Sequence, residues 1–364
     1  MGREFSYWER EVWLNKPDLL IIGGGIVGAS TAMLYKEKHP DHDVLIIDKG
    51  LVPEGASTRN AGFCCVGTMS EHLADMKIAG EETVLKRIER KWKGLNLLKE
   101  TMGEDLIGYE HSGGYEIFTD DKLFEICSDK AEWMNSELKN RLGIDSVYSV
   151  TDYQGYPAIF NHVEGSVNSG MLMRELHKRI SKMGVRVWWN SEVKSVEPQK
   201  ISLKGGIDIH AENVVIATNG FTKRLLDIPI KPARGFVFIT KPIDGFGWKG
   251  TFNHNAGYVY FRNVDNRLLL GGARDLAKEE ETTDQFGTNQ KIRDYLMTFA
   301  NDVIRLPEGW EIDMEWSGIM GVTENKEPII EETEKGLFVA AGLSGMGIAI
   351  GMQVASELCA KIVR

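Results

Sequence analysis

Apolar residues cluster in two textures along the chain: short unbroken runs, and runs in which they recur every three or four positions. Leu19–Ile22 is an unbroken run that ends in glycines, and it predicts a strand buried on both faces. A helical pattern follows at once, over roughly Ile26 to Glu37, and Asp43 to Asp48 then encloses a second buried strand. Strand, helix and strand in this order predict a βαβ unit. Val84, Ile88, Trp92, Leu95 and Leu98 follow helical spacing, so Thr83 to Leu142 reads as mostly helical, with a strand-like Gly113–Phe118 inside it. Met171 to Gly184 reads as a helix stopped by its glycine, with a strand from Val185. Ser191 to His210 reads as short strands, and Ala211 to Gly220 as a buried strand ending in a small polar turn. Gly235–Thr240, Gly257–Arg262 and Arg267–Gly272 alternate and carry aromatics, as strands of an antiparallel sheet do. Gly336 to Ser356 is uncharged, but its glycines break it into a buried strand, Leu337 to Ala341, a turn, and a buried helix from about Ile348 to Ile362. A transmembrane span is therefore not expected.

The predicted fold class is mixed α/β: a Rossmann-like dinucleotide domain interleaved with an antiparallel-sheet domain that carries helices. The expected segments are 17–75, 165–235 and 318–364 for the first and 76–164 and 236–317 for the second, after an N-terminal extension over 1–16. The length of 364 residues suits two domains, and 42% hydrophobic content suits a globular chain. A net charge of −10 gives no global positive field for nucleic acid or anionic membranes. Lys86, Arg87, Arg90, Lys91 and Lys93 cluster around Trp92, at a spacing that fits a solvated helix face. Four cysteines form no disulfide framework, which suits a reducing compartment, and the opening residues mix charges and aromatics unlike a secretory signal; the expected location is the cytoplasm. The adjacent Cys64 and Cys65 read either as a redox pair or as two small core residues. His72, His111, His162, His177, His210 and His254 show no ligand spacing, and no metal site is expected.

The chemistry concentrates at Gly23-x-Gly25-x-x-Gly28, placed between strand and helix. Gly23 permits the tight turn, Gly25 lets backbone approach a pyrophosphate, and Gly28 lets helix and strand pack closely. Ile26 and Val27 open the helix, whose free amides and dipole favour phosphate. Asp48 ends the second strand, where a carboxylate accepts ribose hydroxyls, with Lys49 beside it. Tyr258, Tyr260 and Arg262 fall on one face of an alternating strand. They read either as a substrate-positioning pocket or as an aromatic stripe with an exterior arginine.

Gly23 to Gly28, Asp48, Gly55-Ala-Ser-Thr-Arg-Asn-Ala-Gly62, Val215-Ile-Ala-Thr-Asn-Gly220, Leu270-Gly-Gly-Ala-Arg-Asp275 and Phe338 to Gly347 together resemble the FAD-dependent D-amino-acid oxidase superfamily. The similarity runs in order through nearly the whole chain, and it is nearest the amine-oxidising branch that includes gamma-glutamylputrescine oxidase and glycine oxidase. The resemblance implies FAD bound by the residues above, with Ser57, Thr58, Arg59, Asn60, Ala61 and Gly62 beside pyrophosphate and flavin and Val193 at the adenine edge. It also implies Ala217, Thr218 and Gly220 along the ribityl chain, and Gly342, Ser344, Gly345, Met346 and Gly347 at the pyrimidine end of the isoalloxazine. Its reaction is hydride transfer from a carbon bearing an amine to flavin N5, leaving an imine that hydrolyses.

The implied partners are a small-molecule amine or amino acid and oxygen or another electron acceptor. Three departures matter. Met320 stands where glycine oxidase has its carboxylate-binding arginine, which leaves Arg262, Arg274 and Arg234 as replacement anchors. The region of flavin attachment in sarcosine oxidase lacks a cysteine here, so FAD is expected to be non-covalent. Leu268 to Leu270 occupy the strand where some oxidases carry an oxygen-assisting lysine. The alternatives are a hydroxy-acid or polyol-phosphate dehydrogenase of the same fold, and a flavin-binding protein without this catalysis.

Overall fold

The computed structural model describes residues 4–362. Its first sheet has six strands in the order Ile329–Glu334, Leu337–Ala341, Asn213–Ile216, Leu19–Ile22, Val44–Ile47 and Arg186–Trp188. All neighbours are parallel except the antiparallel edge strand Ile329–Glu334. The start, middle and end of the chain thus meet in one sheet. Alternation sorts its two faces. Leu19, Ile21, Val44 and Ile46 pack toward helices Ile26–Lys38 and Gly347–Ile362, while Leu20, Ile22, Leu45 and Ile47 pack against the antiparallel ribbon Val193–Glu197, Lys200–Leu203 and Asp208–His210. Burial on both faces explains the unbroken apolar runs.

The second sheet has eight strands, ordered Ile312–Val322, Lys231–Thr240, Arg267–Gly272, Val259–Val264, Thr251–His254, Gly114–Ile117, Tyr156–Asn161 and Tyr148–Tyr153. Only Thr251–His254 and Gly114–Ile117 run parallel to each other; the other pairs are antiparallel. Phe238, Leu270, Phe261 and Phe252 lie in one cross-strand row and face helix Gln290–Asp302 through Leu296 and Phe299. The neighbouring row, Val237, Gly271, Tyr260, Asn253 and Glu116, faces the opposite way, toward the first sheet. The expected boundaries at 235/236 and 317/318 fall inside strands of this larger sheet. The long ladder between Lys231–Thr240 and Ile312–Val322 carries both strands across them. The ends of the expected segments at 1–3 and 363–364 lie outside the described residues.

The basic cluster is largely engaged. Arg87 and Arg90 both pair with Glu327, and Arg90 also with Glu357, tying helix Glu81–Met102 to the C-terminal part of the chain. Among the described residues, no helix is long and apolar enough to cross a membrane.

Candidate active site

A cavity of about 780 Å³ lies between the two sheets, a volume ordinary for cofactor and substrate sites. On the parallel-sheet side its wall includes Gly23, Gly25, Ile26, Val27, Asp48, Lys49, Val193, Ala217 and Thr218. Gly23 has φ +108°, and a Cβ there would lie 2.6 Å from the Ala217 carbonyl oxygen. At Gly28 a Cβ would come within 1.9 Å of the Gly23 carbonyl oxygen. Gly28 is absent from the wall because it sits behind it, where helix and strand touch. Gly25 is on the wall, and there a Cβ would meet only Ser57 Oγ, at 2.9 Å.

The loop is braced from several directions. Asp48 accepts from Gly24 N at 2.7 Å and from Gly50 N at 2.8 Å, using one lone pair on each oxygen. Ser57 Oγ accepts from Ile26 N at 2.9 Å, at the start of the helix. His177 Nε2 donates to the Gly24 carbonyl at 2.8 Å; burial holds its pKa below the ordinary histidine value, so the ring is neutral with the proton on Nε2. Burial, then the nearby Arg224, lowers the Lys49 pKa, and the ammonium lies 3.9 Å over the Phe221 ring.

In the next element, Arg59, Asn60, Ala61 and Gly62 line the cavity with Ser57, but Thr58 does not. The Thr58 hydroxyl turns back onto the Pro53 carbonyl. Asn60 builds the turn itself: its amide donates to Ala56 O and Ser57 O, and its oxygen accepts from Gly62 N and Ser169 Oγ. Arg59 donates to Ser317 O at 3.1 Å and stacks 4.5 Å over Phe286. Cys64 and Cys65 point to opposite sides, Cys64 into the core and Cys65 onto the cavity wall. Burial raises the Cys65 pKa well above its ordinary value and keeps it a thiol, which removes the thiolate that a redox pair needs.

Ser344, Gly345, Met346 and Gly347 line the far wall, while Gly220 and Gly342 stand behind it. A Cβ at Gly220 would lie 2.5 Å from the Met320 carbonyl oxygen. Asn219 lies in the Val215–Gly220 element but was not singled out within it; its Oδ1 accepts from Gly342 N at 3.0 Å and Leu343 N at 3.4 Å, so that one side chain ties the Gly342–Gly347 turn to the turn after strand Asn213–Ile216. Its backbone is left-handed, φ +47°, a conformation in which asparagine is enriched; that tolerance was the available signal. Glu164 was also missed. It accepts from Val66 N and Gly67 N, and burial pushes its carboxyl up to about 7.

The antiparallel sheet closes the cavity with Gly235, Val237, Asn253, Tyr258, Tyr260, Gly318 and Met320. The expected triplet divides. Tyr260 lies on the wall, edge-on to Phe63 with ring centroids 5.7 Å apart, and burial pushes its phenol up to about 12. Tyr258 is 44% exposed and forms the rim. Arg262 is off the wall: its guanidinium turns to the Val167 carbonyl at 3.0 Å, behind Gly62. Arg234 is held by Glu281 through two hydrogen bonds, of 2.7 and 2.8 Å. Arg274 remains on the wall.

The glycine cradle, the helix start, the carboxylate at the second strand and the cavity volume fit an FAD. The FAD dependent oxidoreductase family model matches residues 18–361. The chain belongs to that family. An opine oxidase polypeptide of Agrobacterium tumefaciens is 23% identical over 353 residues, covering 91% of this chain and 90% of that protein. The solved L-proline dehydrogenase of P. horikoshii has the same fold at TM-score 0.76 and 18% identity, covering 95% and 92% of the two chains. Glycine oxidase of Geobacillus kaustophilus gives TM-score 0.73 and 22% identity, with 95% of each covered. As a member of this family the chain is an FAD-dependent oxidoreductase with a mixed α/β, Rossmann-like fold, as the motifs implied.

Proposed function

We propose that this oxidoreductase oxidises the C–N bond of a small amine or amino acid to an imine, which water hydrolyses to a carbonyl product and ammonia or an amine. The observation that carries the reading is the single cavity joining the Gly23–Val27 loop to the wall of Met320, Tyr260 and Asn253. A cofactor anchored at the first and a substrate resting on the second would share one enclosed space. FAD, when bound, supplies the acceptor for the two electrons and the hydrogen leaving carbon. The chain's own part is then positioning, which needs neither a nucleophile nor a metal. Among the described residues no cluster of three or more metal-ligating side chains exists. The names of the opine oxidase, proline dehydrogenase and glycine oxidase relatives point to amino-acid-derived amines.

In this reading Asp48 would hold the adenosine ribose, Ser57 and the Ile26–Val27 helix start would face the pyrophosphate, and Ser344 to Gly347 would face the isoalloxazine. FAD would be non-covalent, since the cavity's half-buried Cys65 is held as a thiol by its surroundings. The test is anaerobic: holoenzyme is mixed with a panel of amines, amino acids, hydroxy acids and polyol phosphates, and bleaching of the flavin is followed. Reduction by amines supports the reading, and reduction only by hydroxy acids or polyol phosphates replaces it with the dehydrogenase alternative. If nothing in the panel bleaches the flavin, the reading gives way to a flavin-binding role without this catalysis. Acid precipitation should release the yellow chromophore into the supernatant.

A further inference from the structure

We propose that the substrate is an amine bearing a carboxylate, gripped at two points: Arg274, one of the three candidate replacement anchors, takes the carboxylate, and the Asn253 carboxamide takes the amine. The proposal rests on the C–N oxidation reading above and names the substrate class of the same cavity.

The case for Arg274 begins with the other cations. Arg59 donates to Ser317 O, Arg224 pairs with Asp284, Lys326 pairs with Asp75 and Glu71, and Lys49 rests on Phe221. Arg234 and Arg262 are engaged as described. Arg274 is half-buried on the cavity wall and makes no hydrogen bond or ion pair among the described residues. A guanidinium so placed offers a planar fork of donors with no acceptor, which suits a carboxylate. Lys278, one turn on and also on the wall, adds positive potential. The FAD pyrophosphate does not fill this role, because the phosphate cradle at Gly23–Gly28 belongs to the other sheet.

Asn253 supplies the second point. It is 8% exposed, it lines the cavity, and its carboxamide has no hydrogen-bond partner among the described residues. Its polar atoms open onto the cavity rather than into the packed core, so they are available to pair with a group bound there. Asn253 is directly opposite Tyr260 in the ladder, so both face the cavity. The carboxamide oxygen can accept an amine N–H while the flanking phenol and the Met320 thioether line the apolar part of the molecule.

Register explains why the anchor moved. Met320 pairs with Ala233, and Arg274 follows the strand on the other side of Lys231–Thr240. Met320 and Arg274 thus lie on opposite sides of the strand Lys231–Thr240, Arg274 just past the end of Arg267–Gly272. A carboxylate held at Arg274 therefore lies across the sheet, with the uncharged Met320 position against its apolar part.

The test uses FAD-loaded enzyme and reads ligand binding from perturbation of the flavin absorbance, with butyrate, butyramide and 2-aminobutyrate as probes. Butyrate should bind wild type more tightly than butyramide does. Arg274→Gln should weaken butyrate roughly 10- to 100-fold, the worth of a charge-assisted pair, and leave butyramide unchanged. Arg274→Lys should recover part of the loss. Asn253→Ala, or Asn253→Ser if the alanine variant does not fold, should weaken 2-aminobutyrate at least fivefold more than butyrate. Equal butyrate affinity in wild type and Arg274→Gln overturns the anchor, and equal losses for butyrate and 2-aminobutyrate in the Asn253 variant overturn the amine contact. The parent reading fails separately. If Arg274-dependent butyrate binding persists while no amine bleaches the flavin, the anion site stands, and the amine assignment falls with C–N oxidation.

Discussion

Asn219→Ala tests how the second glycine turn is held against the cofactor cavity. The alanine removes the acceptor for Gly342 N and Leu343 N, 3.0 and 3.4 Å away, and places a Cβ residue without a polar side chain at φ +47°. Each lost bond leaves a buried donor without its acceptor and costs at least about 1 kcal/mol, the low end for such a donor. The left-handed backbone adds about 1 kcal/mol for alanine, for a total of about 3 kcal/mol. At roughly 2 °C per kcal/mol for a chain of this size, the apoprotein should melt about 6 °C lower. Asn219→Gly keeps the backbone relaxed and should lose about 4 °C, whereas Asn219→Asp retains the acceptor and should lose least. Because Ser344 to Gly347 form the cavity wall, ordering them on binding should weaken FAD by up to about 30-fold in Asn219→Ala, measured by fluorescence titration. An FAD affinity within twofold of wild type, with no difference between the alanine and aspartate variants, would refute the idea that this carboxamide carries the turn.

Two contrasts at the first turn follow from the same geometry. Gly28→Ala drives a Cβ into the Gly23 carbonyl, so it should lower the melting temperature even without FAD, whereas Gly25→Ala meets only a serine hydroxyl and should fold yet bind FAD more weakly. Equal melting temperatures for the two apoproteins would sink that distinction. Burial holds the Glu116 carboxyl at about 7, above its ordinary 4.5, so the native state keeps a proton that the unfolded chain has released. Its contribution is complete below pH 4.5 and is lost as pH rises through 7, by roughly 3 kcal/mol. The stability of wild type minus Glu116→Gln should therefore fall between pH 5 and 8 in thermal unfolding; a flat difference would contradict it. The Cys65 thiol should resist iodoacetamide at pH 7.5 in the folded holoenzyme and react once the protein is unfolded, followed by mass spectrometry.

What the sequence alone determined was local. Leu19–Ile22, the Gly23–Gly28 turn and Val44–Ile47 are legible because a doubly buried strand, a left-handed glycine and a helix start are each dictated by residues within about ten positions. The strand Leu337–Ala341 and helix Gly347–Ile362 followed for the same reason. The order of such elements along the chain also carried the family.

Tertiary structure decided which groups face the cavity. Arg262 and Tyr260 share one side of a strand, yet Val167 O claims the guanidinium and only the phenol reaches the wall. Arg234 is held by Glu281 from 47 positions along the chain, whereas Arg274, just past the end of strand Arg267–Gly272, makes no ion pair among the described residues. Asn253 lies outside the quoted motifs, and the Val215–Gly220 element does not show what Asn219 does, because their roles come from a register with Tyr260 and from a turn 123 residues away. Hydrophobic periodicity fixes what a segment becomes. Which polar side chains are left unpartnered at the seam depends on how two sheets meet, and no window of sequence contains that.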